Sequence, residues 1–151
     1  MNGSEKRTID DIEQYGCHVL YVMEEDELPP FAYSVGVSRS SGAPEVVVIG
    51  FKQPLSHFIV NEYNRRVREG EIFVIGGRYE GFVEGFEIEV RGVHRDHFNE
   101  YFGWNLWLYN GSSFEVVQLV LPDTKGNWPW EAGAGEWFRK RQPLLESPPA
   151  A

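Results

Sequence analysis

One cysteine, Cys17, is all that the chain offers to thiol chemistry. A lone thiol cannot close an internal disulfide, and it cannot found a zinc site by itself. Cations are scarce too, with 14 Lys and Arg against 23 Asp and Glu for a formal charge of −9. Nucleic-acid binding draws on basic surface to release counterions, so this balance argues against it. No apolar run approaches the ~20 residues of a membrane span. The N-terminus MNGSEKRTIDD lacks the apolar stretch of a signal peptide, so the expected location is the cytoplasm, with no membrane partner. A phosphate loop, a GxSxG elbow, an HExxH helix and a CxxC pair are all missing, and neither a cofactor nor a metal is expected.

What is present is a globular composition. Hydrophobic residues make up 42% of the 151 and aromatics 15%, which excludes wholesale disorder. A chain of this length forms one domain and buries roughly 70% of its unfolded surface. Residues 1–151 therefore read as a single domain with a core over about 8–138, and with 1–6 and 142–151 flexible.

The stretch Phe31 to Phe51 reads as the hairpin that the rest must cover. Phe31, Tyr33, Val35 and Val37 alternate with Ala32, Ser34, Gly36 and Ser38, the period of a strand. Ser40 to Pro44 has turn composition, and Val46 to Ile49 is a β-branched run suited to a strand buried on both faces. Before the hairpin, Thr8 caps a short helix ended by Gly16, and Cys17 to Met23 forms a strand with apolar residues on both faces. After it, Pro54 and Gly70 bracket a helix whose stripe is Leu55, Phe58, Ile59, Tyr63 and Val67. Glu71 to Ile75 is a short extended segment. Arg78 to Val83 and Phe86 to Val93 make a second hairpin, the return strand carrying Glu87, Glu89 and Arg91 on a wet face. Asp96 caps a third helix to about Tyr109, and Phe114 to Leu121 is the last strand. Because hairpins rather than βαβ units dominate, the class is α+β: a mostly antiparallel, mixed sheet with about three helices packed mainly on one face.

Several side chains are candidates for a site. His18, on a largely buried strand, either bonds backbone or a tyrosine within the core, or acts as an acid/base oriented by a carboxylate. Cys17 cannot be its nucleophile, since neighbours on a strand point to opposite faces. His94 and His97 stand three apart near a helix start, a spacing shared by metal ligands and by ordinary capped loops; His57 adjoins an apolar stripe and reads as packing. The small face Ala32, Ser34, Gly36, Ser38 admits a close neighbour, either a packed helix or a ligand. Trp128-Pro129-Trp130 either presents a binding surface or folds over the sheet.

The spaced set Tyr15-Gly16-Cys17-His18-Val19, Pro30 to Val37, Pro44-Glu45-Val46, Arg78 to Gly81, and Gln118 to Asp123 with Gly126, Trp128, Pro129 and Trp130 resembles the bacterial family named domain of unknown function 4262. The family pattern differs here in having tryptophan at positions 17 and 121, and Thr-Ile at 34 and 35. The resemblance carries over His18, Tyr33, Gly36, Glu45, Gln118, Asp123 and Trp130 as residues for any shared site, and it brings no activity.

Three functions follow as expectations. The first is a small binding or interaction module, of which an immunity-type inhibitor of a basic toxin is one form, with a partner of basic surface. The second is an enzyme of another kind, using His18 with Glu45 or Asp123. The third is a small-molecule binder at the Ser34–Gly36 face. The binding set drawn from these readings is His18, Tyr33, Ser34, Glu45, Gln118, Asp123, Trp128 and Trp130.

Overall fold

The computed structural model describes residues 1–150; Ala151, the end of the tail expected to be flexible, lies outside the described residues. The class is α+β, built on a six-stranded mixed sheet. Its strands are β1 (His18–Val22), β2 (Phe31–Val35), β3 (Glu45–Ile49), β4 (Arg78–Val83), β5 (Phe86–Gly92) and β6 (Val116–Val120). They lie in the order β1-β2-β3-β6-β5-β4, and only β3 and β6 run parallel. The β-branched run of β3 is central and buried on both faces, as its sequence requires.

Alternation divides the core in two. One layer joins Ala32, Val46, Val48, Val117, Leu119, Ile88 and Val90 to Ile59, Val60, Tyr63 and Val67 of helix α3 (Gln53–Arg68). The other joins Tyr33, Val35, Val47 and Ile49 to Ile12 of α1 (Gly3–Tyr15) and to Phe98, Tyr101 and Phe102 of α4 (Phe98–Tyr101) and its C-terminal end. Helical cover is thus shared between the faces, with the longest helix, α3, covering one of them.

The hairpin Phe31–Phe51 is antiparallel as expected, but its first strand stops at Val35. Gly36 turns the backbone at φ +104°, and a Cβ there would lie 2.6 Å from Ile12 Cγ1. The chain then winds into α2 (Val37–Ser41), so the connection holds a helical turn rather than a plain loop.

Other boundaries moved for local reasons. Helix α1 starts at Gly3, because Asn2 and Glu5 form a capping box upstream of Thr8, whose hydroxyl instead bonds the Ser4 carbonyl. The expected helix 96–109 is broken into a 3-10 turn (Arg95–His97), α4 and α5 (Gly103–Leu108), and it is the His94 ring, not Asp96, that caps the start. Phe102, at φ −121° and ψ 44°, is the break. Residues Glu71 to Ile75 form no strand and leave Ile72, Val74 and Ile75 exposed. The tail after Arg141 is not loose at its start: Gln142 side-chain atoms bond both Leu121 N–H and Leu121 C=O, and Leu145 is buried in the second layer. Helix α6 (Glu136–Arg141) delivers that segment to the sheet. Among the described residues no helix is long and apolar enough to cross a membrane.

Candidate functional site

The sequence-predicted residues do not meet in one cavity. Most of them tie the backbone together. Glu45, wholly buried at the start of β3, accepts from Ser34 Oγ at 2.7 Å, from the N–H groups of Gly36, Val37 and Ser38 at 3.1–3.2 Å, and from the Tyr109 hydroxyl. Burial pushes its carboxyl above the ordinary range, while the bonds from Tyr109, Ser34, Ser38 and Val37 pull it back. This carboxylate closes the β2–α2 turn and is sealed from solvent. Ser34 is likewise fully buried, and α3 fills the layer behind Ala32 and Ser34, so the small face takes a helix and has no space for a ligand.

Gln118 spends its amide on the tail, donating to Pro143 O at 2.8 Å and accepting from Leu145 N–H at 3.0 Å. Tyr33 is buried, and its hydroxyl accepts from Trp104 N–H. Asp123 holds its own turn, Oδ1 accepting from Lys125 and Asn127 N–H at 2.9 Å each. Trp128 folds over the sheet and is buried; Trp130 stacks on it at 5.4 Å and stays partly exposed. Arg78 lies over Trp128 and Arg91 over Trp130, with Glu89 bonded to both arginines. This cover is why Glu89, expected on a wet face, is buried.

His18 has a carboxylate partner, but neither Glu45 nor Asp123. Its Nδ1 lies 2.7 Å from Asp11 Oδ2, on the last turns of α1. The sequence reading missed Asp11 because the pair spans the α1–β1 turn, where no short motif signals proximity. His97 gives Nε2 to the Ser147 carbonyl, so it does not converge with His94. Among the described residues no three His, Cys, Asp or Glu side chains gather in a metal-binding group.

Two grooves of larger volume lie away from the binding set expected from the sequence. One of about 970 Å³ runs past the exposed Val74 and Ile75 to His94, Arg95 and Asp96, with Glu115 and Glu146 also on its walls. Its charges are of both signs. The other, about 590 Å³, lies between α3 and the β4–β5 hairpin and has one sign only. Phe58 and the half-buried Phe86 form its apolar part, and Glu80, Glu84 and Glu87 stand exposed around them. Among the described residues none of these three carboxylates has an ion pair within 4 Å. Arg66 reaches the hairpin at the Glu80 carbonyl and over the Phe82 ring, 4.6 Å from its guanidinium carbon, and its charge is held by Glu71 at 2.7 and 2.9 Å.

Phe58 was expected in the core stripe and is 55% exposed. The stripe is centred on Ser56, Ile59, Val60, Tyr63 and Val67, which turns Phe58 to its border and out toward the hairpin. Neither groove includes His18.

The sequence model of the family described as Domain of unknown function (DUF4262) matches residues 11–135, and the chain belongs to that family. No curated protein and no solved structure matches the chain.

Proposed function

We propose that this chain is a protein-interaction module, and that it docks a basic partner on the groove between α3 and the β4–β5 hairpin. The observation that carries the reading is Phe58, an aromatic ring exposed on α3 beside its buried face, with the unpaired Glu80, Glu84 and Glu87 around it. An apolar anchor rimmed by charge is the common anatomy of a binding surface. Carboxylates of one sign, on a chain of net charge −9, attract a cationic surface and raise its association rate. An inhibitor of a basic toxin, acting in the bacterial cytoplasm, is the specific form that this charge supports.

The test uses the full chain and a fluorescent amphipathic lysine–leucine peptide, with a glutamate–leucine peptide as control, followed by anisotropy. The basic peptide is expected to bind saturably, more weakly as salt rises from 50 to 300 mM on the ~10 Å screening scale. Phe58→Ala and the triple change E80Q/E84Q/E87Q are each expected to weaken it at least about tenfold, equivalent to ~1.4 kcal/mol. Equal binding of both peptides, or unchanged binding by both variants, overturns the reading.

A further inference from the structure

We propose a second, independent site: a cavity between α6 and the ends of β3 and β6 that takes a neutral, planar heteroaromatic molecule of nucleobase size. The cavity is about 350 Å³ and is walled by Phe51, Pro122, Phe138 and Trp137, with Asp123, Thr124 and Arg141 as its polar members. A volume of this order, mainly apolar with a few convergent polar groups, is that of a small-molecule site.

The walls are fixed. Gly50, at φ +98°, lets α6 approach so closely that a Cβ there would stand 2.1 Å from the Arg141 carbonyl. Gln142 fastens the far side through both of its bonds to Leu121. The helix is therefore seated on bare backbone, and the hollow beside it does not close by a simple shift.

Two polar groups are left with capacity. Arg141 gives Nη1 to Glu24 at 2.8 Å, but its Nε–H is buried and has no acceptor. A buried unsatisfied donor is costly, and an acceptor on a bound molecule removes that cost. Asp123 commits Oδ1 to the N–H groups of its own turn, while Oδ2, with no hydrogen bond among the described residues, has room for a ligand N–H. Trp137, 72% exposed, supplies a ring face at the mouth, 5.6 Å from the Arg141 guanidinium carbon.

These features select the ligand. The open ring asks for a flat partner that stacks. An acceptor for Arg141 and a donor for Asp123 on one flat molecule describe a nucleobase-like heterocycle. Anionic groups are disfavoured, since Asp123 and Glu24 both stand close and the chain is acidic. A free base or nucleoside therefore fits better than a nucleotide.

Adenine, adenosine and AMP are titrated into the full chain, followed by tryptophan fluorescence and by amide chemical shifts. Saturable binding of adenine and adenosine is expected, with AMP weaker and shifts centred on Phe51, Thr124 and Phe138. Thr124→Phe fills the hollow from an exposed turn and is expected to abolish binding. Arg141→Lys keeps the charge beside Glu24 but has no Nε–H, and is expected to weaken adenine about tenfold without affecting indole, which has no acceptor. Absence of saturable binding, shifts centred elsewhere, or equal affinity in wild type and both folded variants overturns the proposal. None of these outcomes bears on the groove at Phe58, which lies on other residues.

Discussion

Ser34 Oγ donates to Glu45 Oε1 at 2.7 Å and accepts from Val46 N–H at 2.9 Å, so one hydroxyl links the end of β2 to the start of β3. The ladder between these strands pairs Phe31 to Tyr33 and goes no further. Beyond it, side chains replace backbone partners. Ser34→Ala is expected to leave Val46 N–H unsatisfied in the core and to cost about 2 kcal/mol. Glu45→Gln is expected to cost more, about 3 kcal/mol, since an amide NH2 would face the N–H donors of Gly36 and Ser38. Urea unfolding of the two variants measures both; a Glu45→Gln loss smaller than that of Ser34→Ala is the contrary result.

Cys17 is buried in the α3-side layer, with Glu45 and Asp11 adding negative field. Burial foremost pushes its thiol up to about 12, so thiolate is almost absent at neutral pH. Labelling by an aromatic disulfide reagent at pH 8 is expected to be negligible in the native protein and rapid in 6 M guanidinium. Native-state labelling faster than global unfolding would contradict the burial described for this residue.

Periodicity made much of the fold legible. The alternation 31–35, the β-branched run of β3 and the bracketed helix α3 each carry their structure locally. What could not be read is long-range. Glu45 gives no local sign that it will accept from Tyr109, 64 residues away, and Gln142 none that it will clamp Leu121. Of the residues taken over from the family pattern, Glu45, Gln118 and Asp123 tie backbone through their side chains, and Glu45 and Gln118 do so in sealed surroundings, which explains why their types looked chemical. The groove at Phe58 was hidden differently: the expected stripe kept Ile59, Tyr63 and Val67, but the buried face is rotated toward Ser56, Val60 and Asn64, which leaves Phe58 outside it.

Arg91 joins three partners: the Trp130 ring, 4.0 Å from its guanidinium carbon, the buried Glu89, and Glu146 at 2.9 Å. Removing it by Arg91→Ala leaves Glu89 with Arg78 alone, at 3.0 Å, and takes from the tail its ion pair at Glu146. Because Arg91 is partly exposed and Arg78 still pairs Glu89, the expected cost is below that of breaking a fully buried pair, about 1–2 kcal/mol. Adding Glu89→Gln should recover part of that loss, because no buried carboxylate is then left with one cation where it had two. Amide exchange at Leu145 and His94, which share a tail-to-loop hydrogen bond, is expected to quicken in Arg91→Ala. A variant of native stability and exchange would make the stack ornamental to the fold.

Asp123 is held below the usual carboxylate range, by the Asn127 N–H first and the Lys125 N–H after it. Its folded value is depressed relative to the unfolded chain, at ~3.9 for an unperturbed aspartate. The turn's stabilisation is therefore present above that value and disappears as pH falls through the lower, folded one. Amide shifts of Lys125 and Asn127 are expected to move together in acid with a midpoint below the ~3.9 of an unperturbed aspartate. Asp123→Asn should abolish that movement while keeping an oxygen acceptor for both amides. A shared midpoint at or above that of an unperturbed aspartate would mean that the two hydrogen bonds do not favour the ionised carboxylate in solution.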